Sequence, residues 1–236
     1  MRLAFAVLAA LAAQSAAAAP AGAAEPAACT EWGRPGAVLV RDDFSGPLTG
    51  WVAGYARKPG NVVGNRGGRL LMDVAGGATM WLDKPLSGNI LISFTRRVVV
   101  AGSQHDRLSD LNVFWMAHDP ERENLFTRSG KFGDYDDLSM YYVGIGGNRN
   151  TTTRLRRYGD GRRALVGEYT DAAHLLAPNR DYRIEIAVYD GCTRVRVDGD
   201  TWFTYRDPHP LTRGHLGLRT TWSRQTVDDL TIRRLE

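Results

Sequence analysis

Fifteen residues from Tyr141 to Leu155 read YYVGIGGNRNTTTRL and collect phenol, amide, hydroxyl and guanidinium groups in one short stretch. Phenols can transfer protons, guanidinium groups bind carboxylates through paired hydrogen bonds, and amides both donate and accept hydrogen bonds. A turn between two strands needs only a few polar residues, so this concentration indicates more than a turn. We interpret the stretch as one wall of a groove for a polar or acidic glycan.

A second candidate wall lies upstream, in the segment SDLNVFWMAH at residues 109–118. Side chains alternate between the two faces of a strand. One face of this segment is wholly apolar and predicts core: Leu111, Val113, Trp115 and Ala117. The other face mixes polar groups with an aromatic ring, as a sugar-binding groove does: Asp110, Asn112, Phe114, Met116 and His118.

β-Elimination on a uronic acid polysaccharide is the reaction that these groups fit best. It removes a weakly acidic proton next to a carboxylate, so the site must neutralise that carboxylate and then move the proton. We predict that Tyr142 transfers the proton. Arg154 and Asn112 are predicted to neutralise the carboxylate, and His118 to assist. A further set is predicted to bind the substrate: Asp110, Arg128, Lys131, Tyr141, Asn148, Asn150 and Arg156.

A free tyrosine has a pKa of about 10, so a catalytic tyrosine needs help to ionise near neutral pH. Arg154, Arg156 and Arg128 are expected to favour the phenolate by their charge. Structural interpretations of the same residues stay open: Tyr141 as a core residue, and the two arginines near position 155 as solvated surface. Asn148 and Asn150 tolerate left-handed backbone and can simply shape a bend.

Two other functions remain open. A non-catalytic glycan-binding module needs aromatic faces and hydrogen bonds but no matched acid and base, and four tryptophans could supply stacking faces if they are not in the core: Trp51, Trp81, Trp202 and Trp222. A retaining glycoside hydrolase needs two carboxylates about 5–5.5 Å apart. The glutamates are scattered and form no Glu-x-Asp-x-x-Glu motif, which ranks hydrolysis below elimination.

Short alternating segments bounded by turn residues run through the chain from about residue 38, and helical periodicity is almost absent. About a dozen strands in one domain predict an all-β fold, an antiparallel two-sheet jelly-roll sandwich. Asp171–Leu176 is expected to form a single helical turn. The charged segment Asp119–Asp137 has no strand pattern, and loops of that length inside compact domains are often functional.

The segments RDDFSGPLTGW and VDDLTIRRL resemble the terminal strands of concanavalin A-like jelly rolls. DRLSDLNVFWMAHDP, LFTRSGKFGDYDDLSMYYVGIGGNRNTTTRLRRY and YRDPHPLTRGHLGLRTTWS are similar to a family of secreted bacterial proteins defined as domain of unknown function 6250. The resemblance covers about Val38 to Leu235. It implies the concanavalin A-like fold, kinship with jelly-roll polysaccharide lyases and lectins, and a carbohydrate context.

The N-terminus predicts export. Met1-Arg2 is followed by the apolar run LAFAVLAALAA and by small residues, the pattern of a signal peptide over residues 1–24. Eleven apolar residues are too few to span a bilayer, which takes about 20, so no membrane span is predicted. We expect an N-terminal segment at 25–37, a jelly-roll domain at 38–236, and a periplasmic or secreted location.

The formal net charge of +4 is carried almost entirely by arginine. An exported chain without a dense basic arm is not expected to bind nucleic acid; the expected partner is a polysaccharide or oligosaccharide, which this charge allows to be acidic.

The two cysteines, Cys29 and Cys192, are predicted to form a disulfide, because paired cysteines are usual in exported proteins. A lipid anchor at Cys29 and two unpaired thiols are the alternatives.

No cofactor is required by the proposed chemistry, and no zinc spacing is present. A structural calcium is an option, because Asp42-Asp43 and Asp228-Asp229 would lie close together if the terminal strands pair.

Overall fold

The computed structural model describes residues 28–236, and the predicted signal peptide lies outside them. The helical elements are one short turn, α1 (Gly147–Asn150), and three 3-10 turns at Leu125–Thr127, Phe132–Tyr135 and Ala172–His174. The strands of this part of the chain are β1 (Pro35–Asp42), β2 (Trp51–Tyr55), β3 (Val62–Arg66), β4 (Arg69–Leu82), β5 (Leu86–Ser87), β6 (Ile90–Val98), β7 (Leu111–His118), β8 (Ser139–Gly146), β9 (Thr152–Gly159), β10 (Arg162–Tyr169), β11 (Asp181–Tyr189), β12 (Cys192–Val197), β13 (Asp200–Arg206) and β14 (Arg213–Leu235).

The strands form an antiparallel sandwich whose two sheets share β4 and β14. The first sheet has the order β10-β9-β8-β7-β14-β4-β2, and the second has β13-β12-β11-β6-β14 with β1, β3 and the first half of β4 beyond. Register shifts in the β4–β14 pairing mark the passage from one sheet to the other. The predicted all-β jelly-roll class is confirmed, with fourteen strands in residues 28–236 where about a dozen are expected.

The main core lies between the two sheets and takes alternate side chains from each strand. Leu111, Val113 and Trp115 of β7 are fully buried there, together with Ile92 and Phe94 of β6. Their period of two follows from the pleat of a strand. The opposite face of the first sheet carries a second, smaller cluster that includes Trp81, Phe114, Tyr142 and Tyr158.

The two ends of the described chain are joined to the same sheet. β1 pairs with the end of β14, with Val40 opposite Ile232 and Asp42 opposite Leu230. The two segments that resemble terminal jelly-roll strands therefore lie side by side. β1 begins at Pro35, slightly before the expected boundary at residue 38. The predicted disulfide between Cys29 and Cys192 is present, with Cα atoms 5.8 Å apart, and it ties the segment before β1 to β12.

Candidate functional site

A groove of about 440 Å³ lies on the outer face of the first sheet. Antiparallel pairing aligns the side chains of four neighbouring strands there: Arg219 of β14 is opposite Asn112 of β7, Asn112 is opposite Gly144 of β8, and Gly144 is opposite Arg154 of β9. The structure thereby brings six of the eleven predicted site residues to one groove, although it does not test their roles: Asp110, Asn112, Tyr142, Asn148, Arg154 and Arg156.

Tyr142 and Asn112 form a buried pair at the base of the groove. The Tyr142 hydroxyl donates a hydrogen bond to Asn112 Oδ1 over 3.0 Å, and Asn112 Nδ2 has no hydrogen-bond partner within residues 28–236. A Cβ atom on Gly144 would overlap the Tyr142 hydroxyl, so glycine at this position lets the phenol cross β8 and reach Asn112. An unpartnered amide donor beside a groove can bind a ligand oxygen.

Tyr142 is a weaker acid than a free tyrosine. Burial raises its pKa, and the neighbouring Tyr158 and the charge of Asp110 act in the same direction, whereas Arg219 and Arg156 oppose it. Arg156 does favour the phenolate, as expected, but burial outweighs the charge of the arginines in the free protein. The Tyr142 phenol therefore stays protonated at neutral pH.

Arg219 is a buried cation on the groove wall, with 1% of its surface exposed. One of its amino groups donates to the Gly130 carbonyl oxygen over 3.3 Å, and its guanidinium lies 5.0 Å from the ring centroid of Phe132 and 5.4 Å from that of Tyr135. No carboxylate of the described chain forms an ion pair with it. A desolvated charge without a counter-ion is costly, and an anion in the groove would offset that cost.

Arg96 holds Arg219 and Asn112 in place from the opposite side of the first sheet. Its side chain crosses the core from β6 and donates to the carbonyl oxygens of Asn112 (2.7 Å) and Arg219 (2.6 Å). Burial, with a smaller contribution from the charge of Arg219, lowers the pKa of the Arg96 guanidinium to about 9. Because the two carbonyls belong to paired residues, this contact fixes the register of β7 against β14 directly beneath the groove.

The turn α1 forms one end of the groove with strained backbone. Asn148, Arg149 and Asn150 all have positive φ angles, between 53° and 62°, a left-handed conformation that costs roughly 1–2 kcal/mol for an ordinary L-residue. Asn148 and Arg149 line the groove. Asn150 faces away, because its amide exchanges two hydrogen bonds with the backbone of Leu176, so its predicted substrate contact is replaced by a structural one.

Charge in the groove is strongly positive. Six arginines line it: Arg107, Arg149, Arg154, Arg156, Arg163 and Arg219. Three of them are neutralised, Arg107 by Asp110, Arg154 by Glu168 and Arg163 by Asp136. The other three form no ion pair with a carboxylate between residues 28 and 236. Among residues 28–236, Asp110 is the single carboxylate that lines the groove.

Comparison with known proteins assigns the sequence to a family. The family model described as domain of unknown function (DUF6250) matches residues 72–230, more than half of the chain. The chain belongs to the DUF6250 family. No curated protein matches the sequence.

Solved structures similar to this DUF6250 chain share its fold. A protein of unknown function with a galectin-like fold from Bacillus subtilis has a TM-score of 0.71 and 16% identity, over 86% of this chain and 98% of that one. A β-glucanase from Bacillus licheniformis has a TM-score of 0.58 and 11% identity, over 86% and 100%. The carbohydrate-binding module CBM66 from Bacillus subtilis has a TM-score of 0.53 and 11% identity, over 78% and 96%.

His118 does not lie in the groove of this DUF6250 domain, contrary to the predicted alternation. Met116 has a φ angle of 51°, and the pairing of β7 with both β8 and β14 shifts register around it. This bulge adds one residue and turns Met116 into the main core and Ala117 onto the opposite face. His118 instead lines a separate depression with Glu123 and His215.

Three other predicted residues also lie elsewhere. Tyr141 points into the main core, where its hydroxyl donates to Asp207 Oδ2 over 2.7 Å. Arg128 is buried under the loop that it belongs to and pairs with Asp119 at 2.7 Å and Asp137 at 2.9 Å. Lys131 is exposed and does not line the groove. None of these three side chains therefore lines the groove in which substrate contact was predicted.

The loop from Asp119 to Asp137 contributes an aromatic wall instead of a charged one. Arg128 anchors it, and hydrogen bonds from Arg128 and from the Glu121 backbone lower the pKa of Asp119 although burial acts against them. Tyr135 docks on the sheet through a 2.7 Å hydrogen bond between its hydroxyl and that of Thr79. Phe132 then lines the groove beside Arg219.

Sequence reasoning missed Arg107, Arg149, Arg163 and Arg219. Arg219 could have been found, because in HLGLRTTW it alternates with Leu216 and Leu218 and so faces away from the core. Its position beside Asn112 depends on the long-range pairing of β14 with β7.

The calcium proposal stays a prediction. Asp42, Asp43 and Asp229 line a shallow depression with Arg41 and Arg183, and Asp228 pairs with Arg69 at 3.2 Å. Within residues 28–236 no three His, Cys, Asp or Glu side chains are grouped to hold a metal ion. In the same range, no helix is long and apolar enough to cross a membrane.

Proposed function

We propose that this protein binds an acidic glycan in the arginine groove and cleaves it by β-elimination. One observation carries the proposal: the buried, uncompensated Arg219 lies next to the Tyr142–Asn112 pair on the same groove wall. The glycan class is supported by the folds that the chain resembles, which include a carbohydrate-binding module and glucanases. Export is supported by the disulfide, which persists in oxidising compartments.

The substrate carboxylate would bind Arg219, with the free Asn112 Nδ2 donating to its second oxygen. Arg219 offers a planar set of donors that matches a carboxylate, and its desolvation makes the ion pair stronger than one in water. Neutralising the carboxylate lowers the cost of removing the proton on the adjacent carbon. Arg154 and Arg156, on β9, would contact flanking acidic units.

Proton transfer would use Tyr142 and Asp110 as a matched pair. Asp110 is held by Arg107 at 2.5 Å and by Ser109 at 2.7 Å, and its negative charge helps to keep Tyr142 protonated. A carboxylate beside a protonated phenol can serve as base and acid. Asp110 would accept the C5 proton, the C4–O bond would break as the C4–C5 double bond forms, and Tyr142 would protonate the leaving oxygen.

Non-catalytic binding is the second candidate, and the low acidity of Tyr142 favours it. Tyr142 has 7% of its surface exposed, and in a binding module its phenol would have a single role, to position Asn112 through their hydrogen bond. Hydrolysis is less well supported, because in the described part of the chain Asp110 is the one carboxylate that lines the groove, and the two-carboxylate mechanism needs a partner for it.

A product screen separates the three functions. Purified protein lacking residues 1–24 is incubated with alginate, polygalacturonate and hyaluronate, and ultraviolet absorbance of unsaturated uronates is followed together with reducing ends. Elimination raises both signals. Reducing ends without absorbance would indicate hydrolysis, and retardation of the protein by a polymer without either signal would indicate binding alone.

A further inference from the structure

Trp222 combines exposure and backbone strain in a way that no other residue of the described chain does. Three large apolar residues have positive φ: Phe44 at 55°, Met116 at 51° and Trp222 at 45°. The first two are fully buried, so packing offsets their strain, whereas 48% of Trp222 is exposed. A strained conformation that packing does not offset points to a functional use of the side chain.

The strain turns Trp222 outward beside Thr221, which lines the groove. Before it, Leu216 and Leu218 face the core and Arg219 faces the groove; after it, Val227 faces the core from an odd position. The alternation changes at 221–222, where the β4–β14 register shifts, so Thr221 and Trp222 both lie on the outer surface.

Trp222 does not itself line the groove, but residues beside it do. Thr221 lines it, and Arg107, which also lines it, donates to the Thr221 carbonyl oxygen over 2.5 Å. The indole meets the ring of His105 edge-on at 6.3 Å, and His105 is fixed by Asp73 at 2.7 Å. The contact with His105 therefore orients the Trp222 indole, and about half of the residue's surface stays open to solvent.

We propose that Trp222 is a stacking platform for a sugar ring of the same glycan, one or more units away from the ring at Tyr142. This inference rests on the proposed function for the identity of the polymer, but not for the stacking itself. The C–H face of a pyranose is apolar and its rim is polar, which suits an exposed indole beside Thr221 and Arg107. The platform would select a polymer over a single sugar acid.

Replacement by glycine distinguishes a functional tryptophan from a structural one. Glycine accepts positive φ without strain, so Trp222→Gly should keep or raise the thermal midpoint, whereas loss of a structural tryptophan lowers it. Affinity for long chains should fall about tenfold, and Trp222→Phe should retain part of it. Val38→Ala, at another exposed apolar residue (45%) on β1, is the matched control and should leave affinity unchanged.

Affinity is measured by gel retardation with alginate, polygalacturonate and hyaluronate, and with the neutral polymers laminarin and dextran. The inference holds if Trp222→Gly weakens binding of whichever polymer the wild type binds, at an undiminished thermal midpoint. It is overturned if Trp222→Gly binds like the wild type, or if its midpoint falls by several degrees. Binding of neutral polymers alone, lost in Trp222→Gly, would retain the platform and overturn the acidic glycan. If the wild type binds none of the five, both proposals fail.

Discussion

Deleting the Tyr142 hydroxyl by Tyr142→Phe should separate catalysis from folding. The hydroxyl donates one buried hydrogen bond, to Asn112 Oδ1 at 3.0 Å. Its loss leaves that oxygen without a donor, which costs about 1–2 kcal/mol of the free energy of unfolding, or roughly 2–8 °C in the thermal midpoint of a domain of this size. The ring and its contacts with Phe114 and Phe132 remain, so the protein should fold.

Turnover should fall far more than stability. Without the hydroxyl nothing protonates the leaving oxygen from this side of the groove, and loss of a general acid typically costs about 10²-fold or more in rate. The assay is the initial rate of unsaturated-uronate absorbance on the polymer that the screen identifies. Binding of that polymer should change little, because Arg219 and Asn112 Nδ2 are retained.

Tyr158→Phe is the matched control. Tyr158 belongs to the same aromatic cluster and is fully buried, but its hydroxyl has no hydrogen-bond partner in the described part of the chain. Its removal should leave both turnover and stability close to wild type. If Tyr142→Phe retains full activity while Tyr141→Phe abolishes it, the catalytic face of β8 has been assigned wrongly; equal losses in Tyr142→Phe and Tyr158→Phe would show that the cluster acts only by packing.

Four further outcomes are expected. Asp110→Asn should reduce turnover by about 10²-fold with little loss of binding, measured on the same polymer; unchanged turnover would remove Asp110 as the base. Asp119→Asn should lower the free energy of unfolding by about 2–3 kcal/mol in urea, because it leaves Arg128 without its buried partner; an unchanged unfolding midpoint would contradict that ion pair. Since the folded pKa of Asp119 is lowered, its contribution is present above the unfolded value near pH 4 and is lost as pH falls through the folded value, so the variant should lose less stability on acidification than the wild type. Replacing Cys29 and Cys192 by serine should cost about 2–5 kcal/mol, and thiol titration of the unreduced, denatured wild type should find no free thiol.

Local alternation was sufficient to predict much of the groove. Alternation along YYVGI and TTTRLRRY predicts that Tyr142 and Tyr141 lie on opposite faces of β8 and that Arg154 and Arg156 lie opposite an inward-facing Leu155, and the structure has both arrangements. These residues lie in uninterrupted strands, where the period of two holds from end to end. The local sequence pattern therefore predicts which face of a strand a side chain occupies wherever no bulge interrupts the strand.

Bulges and long-range pairing account for what was missed. Nothing in the letters WMAH marks Met116 as a bulge, because its positive φ is imposed by the strands on either side, so His118 was assigned to the wrong face. Arg219 lies more than a hundred residues from Asn112 in sequence and meets it only through the β7–β14 pairing. The burial that raises the pKa of Tyr142 likewise depends on Phe132 and the docked loop, whose course has no periodic pattern.

The central claim is that the groove recognises an acidic glycan through the buried, unpaired Arg219. Glycan binding by the Arg219→Met variant tests this claim most directly. Methionine keeps much of the side-chain volume and removes the charge. Dissociation constants are measured for the uronate oligosaccharide that the wild type binds best and for its carboxyl-reduced counterpart. We predict that the wild type prefers the acidic form by at least about 30-fold, as expected for a buried ion pair, and that Arg219→Met loses most of this preference and keeps only the part that Arg154 and Arg156 supply at flanking units. Equal affinity of the wild type for the two forms would contradict the claim.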